Sequence, residues 1–226
     1  MKVGFFGGSF DPPHHGHIAL ARTAMERLDL DRVLIAPVGT QPFKGDEAAP
    51  FEDRVAMVRL AIAGEPRMEV SLVDAPRQDG RPNYTIDTVK SLRRTLNRED
   101  RLYCLMGADS FLTIGKWFRS EDLLTACNFV VGSRPGFDLQ KVAAALPERV
   151  SLAAEESGAP GYLVIGLRGE NGAHSRLYLL PDLAEDISAT EIRMDLQAGA
   201  RAPIDPAVAA YIAQHSLYRN AEEAPR

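Results

Sequence analysis

Near its start the chain reads Lys2-Val3-Gly4-Phe5-Phe6-Gly7-Gly8-Ser9-Phe10-Asp11-Pro12-Pro13-His14-His15-Gly16-His17. Residues 2–6 predict a strand, and the glycines and prolines break it. A helix is expected over 16–28, with Ile18, Ala21, Met25 and Leu28 roughly on one face. Strand, glycine loop and helix in that order form the first unit of an α/β sheet. The pattern then repeats: strands are expected at 32–36, 68–73, 102–106 and 127–131, and helices at 51–63, 84–96 and 138–146. This alternation predicts a doubly wound parallel sheet of Rossmann-like type, covered on both faces.

The carboxyl-terminal third reads differently. Residues 147–176 give the weakest signal, although Gly161–Leu167 and Arg176–Leu180 can be strands joined by a polar turn. Helices at 189–198 and 206–214 then form an extension. With roughly 100–200 residues expected per domain, 226 residues without a convincing linker read as one domain. Within it, residues 181–218 are its helical carboxyl-terminal part and 219–226 a frayed tail.

Composition narrows the function. Lysine and arginine total 26 against 31 aspartate and glutamate, a net charge of −5. That balance argues against a generic nucleic-acid binder, which presents a basic face, but leaves anionic small molecules open. Cys104 and Cys127 both lie in apolar runs and read as core thiols of a reducing compartment rather than a disulfide framework. No run approaches the 18 apolar residues or so of a membrane span, and no signal peptide is expected, so the expected address is the cytoplasm.

In a doubly wound sheet ligands bind beyond the carboxyl ends of the strands. The loop there, 7–15, reads as an anion site. Gly7 and Gly8 let the backbone approach a phosphate. The helix starting near His15 points N–H groups and its positive dipole end at the same place. His14 and His17 share one side of its first turn, and Gly16 leaves room for a base or ribose. The stretch lacks the lysine of a Walker A loop and the glycine spacing of the dinucleotide fingerprint. It also brings no cysteine or glutamate at zinc-ligand spacing, so no metal ligands are assigned.

Further candidates sit on the same side. In Ile187-Ser188-Ala189-Thr190-Glu191-Ile192-Arg193, Ser188 and Glu191 form a capping box. A helix start there offers N–H groups, two hydroxyls and the Arg193 guanidinium to a polyphosphate. Lys44 lies in the loop after the second strand, Tyr84 and Thr85 open a helix with Thr85 as its N-cap, and Gly107-Ala108-Asp109 follows a strand end. Trp117, the single tryptophan, can be a platform for a flat ring.

With these residues in view the chain resembles the nucleotidyltransferase superfamily marked by the H-x-G-H signature, here His14-His15-Gly16-His17. Its second signature is matched by Ile187–Arg193. Within it the chain is similar to bacterial nicotinate-nucleotide adenylyltransferases. Gly7–Pro12, Tyr84–Val89, Leu105–Ser110, Lys116-Trp117 and the ending Tyr211–Tyr218 carry that likeness. Gln41-Pro42-Phe43-Lys44 departs from it by lacking the histidine many members place before the lysine, and Pro13 stands where a small apolar residue is common.

The resemblance implies adenylyl transfer from ATP to nicotinate mononucleotide, with Mg²⁺ carried by ATP and with neither nucleic acid nor membrane as partner. It implies His14, His17, Lys44 and Arg193 as catalytic residues. ATP would be held by Gly7, Gly8, Ser9, Phe10, Gly16, Gly107, Asp109, Ser133, Arg134, Ile187, Ser188 and Thr190. Tyr84, Thr85, Asp109 and Trp117 would take the nicotinate nucleotide. The alternatives are an acceptor of another kind, phosphopantetheine or nicotinamide mononucleotide, a cytidylyltransferase, and a nucleotide-binding module without turnover. Oligomeric state is not legible.

Overall fold

The structure, a computed structural model, describes residues 1–42, 48–132, 139–156, 161–181, 183 and 188–219. Lys44, Ser133, Arg134 and Ile187 lie outside the described residues, as does the expected tail from 220 onward.

Among the described residues the strands are β1 (Lys2–Gly8), β2 (Arg32–Pro37), β3 (Met68–Val70), β4 (Arg101–Gly107), β5 (Asn128–Gly132), β6 (Val150–Glu156), β7 (Leu163–Gly169) and β8 (His174–Leu180). They form one sheet in the order β3-β2-β1-β4-β5-β8-β7-β6. From β3 through β8 every pairing is parallel, with Phe5 opposite Cys104 and Cys104 opposite Phe129. β7 runs antiparallel to both β8 and β6. The expected parallel sheet therefore ends in an antiparallel edge. The 161–167 and 176–180 segments are strands, and β6 adds one that the sequence did not signal.

Side-chain alternation along the strands sends successive residues to opposite faces. Val3, Phe5, Cys104, Phe129 and Val131 join the core under α3 (Thr85–Thr95) and α5 (Ser120–Ala126). Phe6, Ile35, Leu105 and Val130 join the core under α1 (His15–Leu28) and α2 (Phe51–Ala61). α1 presents Leu20, Ala21, Ala24, Met25 and Leu28 to it, a helical stripe. A third, smaller core forms where α7 (Ala189–Gln197) and α8 (Pro206–Gln214) meet α2 through Met57, Ile192, Val208 and Ile212.

Other expectations need correction. After the strand end at Gly107, where the sequence signalled no element, α4 (Ala108–Phe111) and a 3₁₀ turn (Ile114–Lys116) follow. α6 (Leu139–Ala145) falls where a helix was expected. Cys127 is not in a strand but caps the end of α5, just before β5. Both cysteines are buried and free. A hydrogen bond with Cys127, together with burial, holds the Cys104 thiol well above its usual range, so it stays protonated. No helix among the described residues is long and apolar enough to cross a membrane.

The order of the sheet reverses at β1, whose neighbours are β2 on one side and β4 on the other. The crevice of an open α/β sheet lies at such a point, beyond the carboxyl ends. Gly8, Gly107 and Gly132 end three of these strands, and Gly107 pairs directly with Gly132. A Cβ on Gly107 would meet nothing within 4 Å, so the backbone there faces open space.

Candidate active site

The loop from Ser9 to His14 crosses the end of β1 and is shaped from beneath by aromatic rings. Phe10 adopts φ 50°, a left-handed conformation that a bulky residue avoids. The strain delivers its side chain into the core, where its ring lies edge-on to Phe6 at 5.3 Å and 4.9 Å from the His17 ring. Phe10 thus supports His17 from below instead of reaching a ligand with its own side chain.

The two histidines form one unit. Their rings stack at a centroid distance of 3.6 Å. The His17 N–H donates to the His14 carbonyl at 3.0 Å, and the His14 N–H donates to His17 Nδ1 at 3.2 Å. Because Nδ1 of His17 accepts, the ring proton of neutral His17 is assigned to Nε2, which makes that nitrogen a donor. His14 is buried, and its Nδ1 has no hydrogen-bond partner among the described residues. Burial, with the neighbouring His15 charge, lowers its pKa to about 4, so it is neutral at pH 7. In the capping box of α1 the His14 side chain faces the His17 N–H, which the His14 carbonyl already takes, so the ring nitrogen keeps hydrogen-bonding capacity at a helix N-terminus.

The second motif closes on the first across the whole chain. Ser188 caps α7 and its Oγ accepts from the Glu191 N–H at 3.2 Å. One turn on, Arg193 Nη1 donates to the Asp11 carbonyl at 2.7 Å, and Nη2 donates to Thr190 Oγ1 at 3.3 Å. The His15 N–H donates to the Pro203 carbonyl at 3.1 Å, a second tie between the α1 start and the carboxyl-terminal part. Part of the Arg193 fork is therefore spent on the protein's own backbone, where sequence reasoning had it aimed wholly at a polyphosphate.

The Thr85 expectation is also corrected. Tyr84 is the N-cap of α3 and Thr85 its first residue, because the helix begins one residue earlier than a Thr85 cap implies. Tyr84 packs on the exposed Phe118 ring at 4.4 Å. Trp117 is half-buried, and its indole N–H donates to Thr113 Oγ1 at 3.2 Å. Gly107 and Asp109 stand exposed at the end of β4.

Several residues that sequence reasoning passed over hold these parts in place. The Asp11 carboxylate accepts from the N–H groups of Ala48 (2.7 Å) and Ala49 (3.2 Å) and from the Tyr218 hydroxyl (2.6 Å). Arg54, 1% exposed, reaches from α2 to the carbonyls of Ser9 (2.8 Å), Val38 (2.9 Å) and Ala49 (3.2 Å). Asn83 exchanges two hydrogen bonds with Thr40 and donates a third to the Ala75 carbonyl. Gly39 lies so close to the Ala75–Pro76 backbone that a side chain there would have no room. Burial raises the pKa of Asp74, which accepts from Thr88 Oγ1 at 2.7 Å. Asp11 stands in the quoted loop, but like Arg54 and Tyr218 it carried no signal of its role, because the partners of all three are remote in sequence.

Comparison with known proteins gives the chain its relatives. The cytidylyltransferase-like family matches the chain over residues 5–195. The probable nicotinate-nucleotide adenylyltransferase of Laribacter hongkongensis is 39% identical over 223 residues, covering 97% of this chain and 96% of its own length. That of Pelobacter propionicus is 36% identical over 223 residues, covering 96% and 98%. Among solved structures, Plasmodium falciparum nicotinic acid mononucleotide adenylyltransferase complexed with NaAD superposes with a TM-score of 0.68. It is 18% identical and covers 96% of this chain and 97% of that one, a likeness of fold.

Proposed function

The chain belongs to the cytidylyltransferase-like family, alongside nicotinate-nucleotide adenylyltransferases, and we propose from this that it transfers the adenylyl group of ATP to nicotinate mononucleotide. The products are nicotinate adenine dinucleotide and pyrophosphate. The observation that carries the site reading is the meeting of the two motifs: a stacked histidine pair at the start of α1, with Arg193 bound to the carbonyl of Asp11 in the same loop.

An oxygen of the mononucleotide phosphate attacks the α-phosphorus of ATP in line. A new P–O bond forms, and the bond to the bridging oxygen of the β-phosphate breaks, pyrophosphate leaving with that electron pair. The nucleophile is already anionic near neutral pH, so no general base is needed. Catalysis reduces to positioning and to stabilising the charge that builds on the phosphoryl oxygens.

His17 supplies the Nε2–H donor to the α-phosphate, oriented by the His14 N–H on its other nitrogen. The unpartnered Nδ1 of His14 faces the same task beside it. Gly7, Gly8, Ser9, Phe10 and Gly16 supply the close backbone wall. Ser188, Thr190, Ile187 and the remaining N–H groups of Arg193 take the β- and γ-phosphates at the start of α7. Lys44 neutralises the incoming phosphate. Gly107, Asp109, Ser133 and Arg134 contact the nucleotides, while Tyr84, Thr85 and Trp117 frame the pyridine ring and its carboxylate. Magnesium enters as MgATP and is part of that substrate, supplying charge neutralisation on the phosphates. Donors that are histidine, backbone and arginine suit phosphate oxygens. Among the described residues no group of three or more His, Cys, Asp or Glu side chains is placed to hold a metal.

The test is pyrophosphate release from MgATP with nicotinate mononucleotide, its amide, or phosphopantetheine as acceptor. Release with the acid form and a lower kcat/KM for the amide is the expected result. No release with the acid form sinks the reading.

A further inference from the structure

We propose that Asp11 and Tyr218 are positioning residues of this reaction, joining the phosphate-binding loop, the segment that follows Lys44 and the Arg193 helix into one fixed arrangement. Asp11 is 3% exposed yet touches all three. Its carboxylate receives Ala48 and Ala49, four and five residues after Lys44, and its carbonyl receives Arg193. Every one of these donors is backbone or guanidinium except Tyr218, whose hydroxyl completes the set at 2.6 Å.

The chain is bent to make this contact. After α8, Ser216 (φ 54°) and Tyr218 (φ 60°) both take the left-handed conformation, which a residue with a side chain rarely adopts. The Leu217 N–H returns to the Ile212 carbonyl at 3.1 Å to hold the reversal. The turn drops Tyr218, 8% exposed, beside Met57 and onto Asp11, 207 residues away. Burial and the Asp11 carboxylate hold its phenol proton in place, so it stays a donor. Strain of this kind persists where the surroundings over-determine a geometry, and here the geometry determined is that of Asp11.

The Asp11 carboxylate is buried and taken up by three donors of the protein, and its negative charge would repel a phosphate. Its effect runs through what it holds. A shift of about 1 Å in a group that touches the reacting phosphate costs up to about 10²-fold in rate. Tyr218→Phe removes one oxygen and keeps the ring in the core. The inference rests on the reaction proposed above. Wild-type chain that makes no dinucleotide defeats that reading. Active wild-type with an unaffected variant defeats only this one.

The measurement is the single-turnover rate constant for dinucleotide formation with enzyme in excess over nicotinate mononucleotide. It does not depend on what fraction of the enzyme is folded. Tyr218→Phe is expected to lower it about 10- to 100-fold while KM for nicotinate mononucleotide stays within about twofold. In an Arg193→Lys background, which already loses the Nη1 bond to the Asp11 carbonyl, the same change is expected to cost less than about twofold. Asp11→Asn, which keeps shape but turns an acceptor into a donor facing donors, is the second variant and should show the same loss. An unchanged rate constant, or full additivity with Arg193→Lys, overturns the proposal. Failure of both variants to fold also overturns it, since the pair would then determine the fold alone.

Discussion

At the scale of the residue, the stacked histidines divide one task by their environments. His17 is oriented by a backbone N–H on Nδ1, which assigns its donor to Nε2, so His17→Ala should lower kcat about 10²- to 10³-fold with the fold intact, the usual cost of losing one donor to a developing oxyanion. Steady-state kinetics beside a far-ultraviolet spectrum check this, and near wild-type kcat would remove His17 from the mechanism. His14 carries a stability cost. Its folded pKa, lowered to about 4 chiefly by burial, lies below the unfolded value of 6.5. The unfolded chain therefore takes up a proton first, and stability falls as pH drops from about 6.5 to 4. His14→Gln lacks this penalty, so the stability difference between wild type and variant should shift in the variant's favour between pH 7 and pH 5 in urea titrations. A constant difference contradicts it. The histidines were legible because three fall within four positions of a glycine loop. Asp11 was in plain view beside them, but one loop aspartate carries no signal until its three donors are known.

At the scale of the element, strands buried on both faces announced themselves as short apolar runs, and β1, β2, β4 and β5 lie within a residue or two of expectation. β6 did not, because Val150-Ser151-Leu152-Ala153-Ala154-Glu155-Glu156 neither alternates strictly nor runs apolar throughout, and its pairing with β7 shifts register between Leu152 and Glu155. α5 was missed for its length: seven residues give too few turns for a period to show, although Glu121 and Asp122 in its first turn are a start signal. Between elements, the loop after β2 owes its course to Asn83. With two bonds to Thr40 and one to Ala75, Asn83 ties that loop to the segment leading into α3, and Gly39 permits the backbones to touch. Asn83→Ala is expected to cost about 1–3 kcal/mol, because partners in a partly buried loop are left unsatisfied. Chemical unfolding reads this directly; a change below about 0.5 kcal/mol would mean water replaces the amide without loss.

At the scale of the whole molecule, a net charge of −5 coexists with a site for two phosphate-bearing substrates because the field there is local. Two helix starts, Arg193 and the deeply buried Arg54 supply it. The same site also decides how the carboxyl-terminal helices relate to the sheet. By sequence they read as an extension, and their core through Ile192, Val208 and Ile212 is separate from the two cores flanking the sheet. Yet α2 belongs to both: Val58 and Ile62, at its end, pack under the sheet, while Met57 packs under α7 and α8. Arg193 and Tyr218 then bind Asp11 at the end of β1. Separating the helices would expose several apolar side chains, each worth about 1.5–3 kcal/mol, and would take the Tyr218 hydroxyl from the buried Asp11 carboxylate and Arg193 from its carbonyl. That sum is comparable to the whole stability of a domain, about 5–15 kcal/mol, so there is little room for a state with the sheet folded and the helices detached. The chain is accordingly expected to unfold in a single transition, with calorimetric and van't Hoff enthalpies agreeing and with tyrosine and tryptophan fluorescence coinciding with far-ultraviolet ellipticity. Two resolved transitions, the first abolishing dinucleotide formation and sparing the ellipticity of the sheet, would show that α7 and α8 dock as an independent unit.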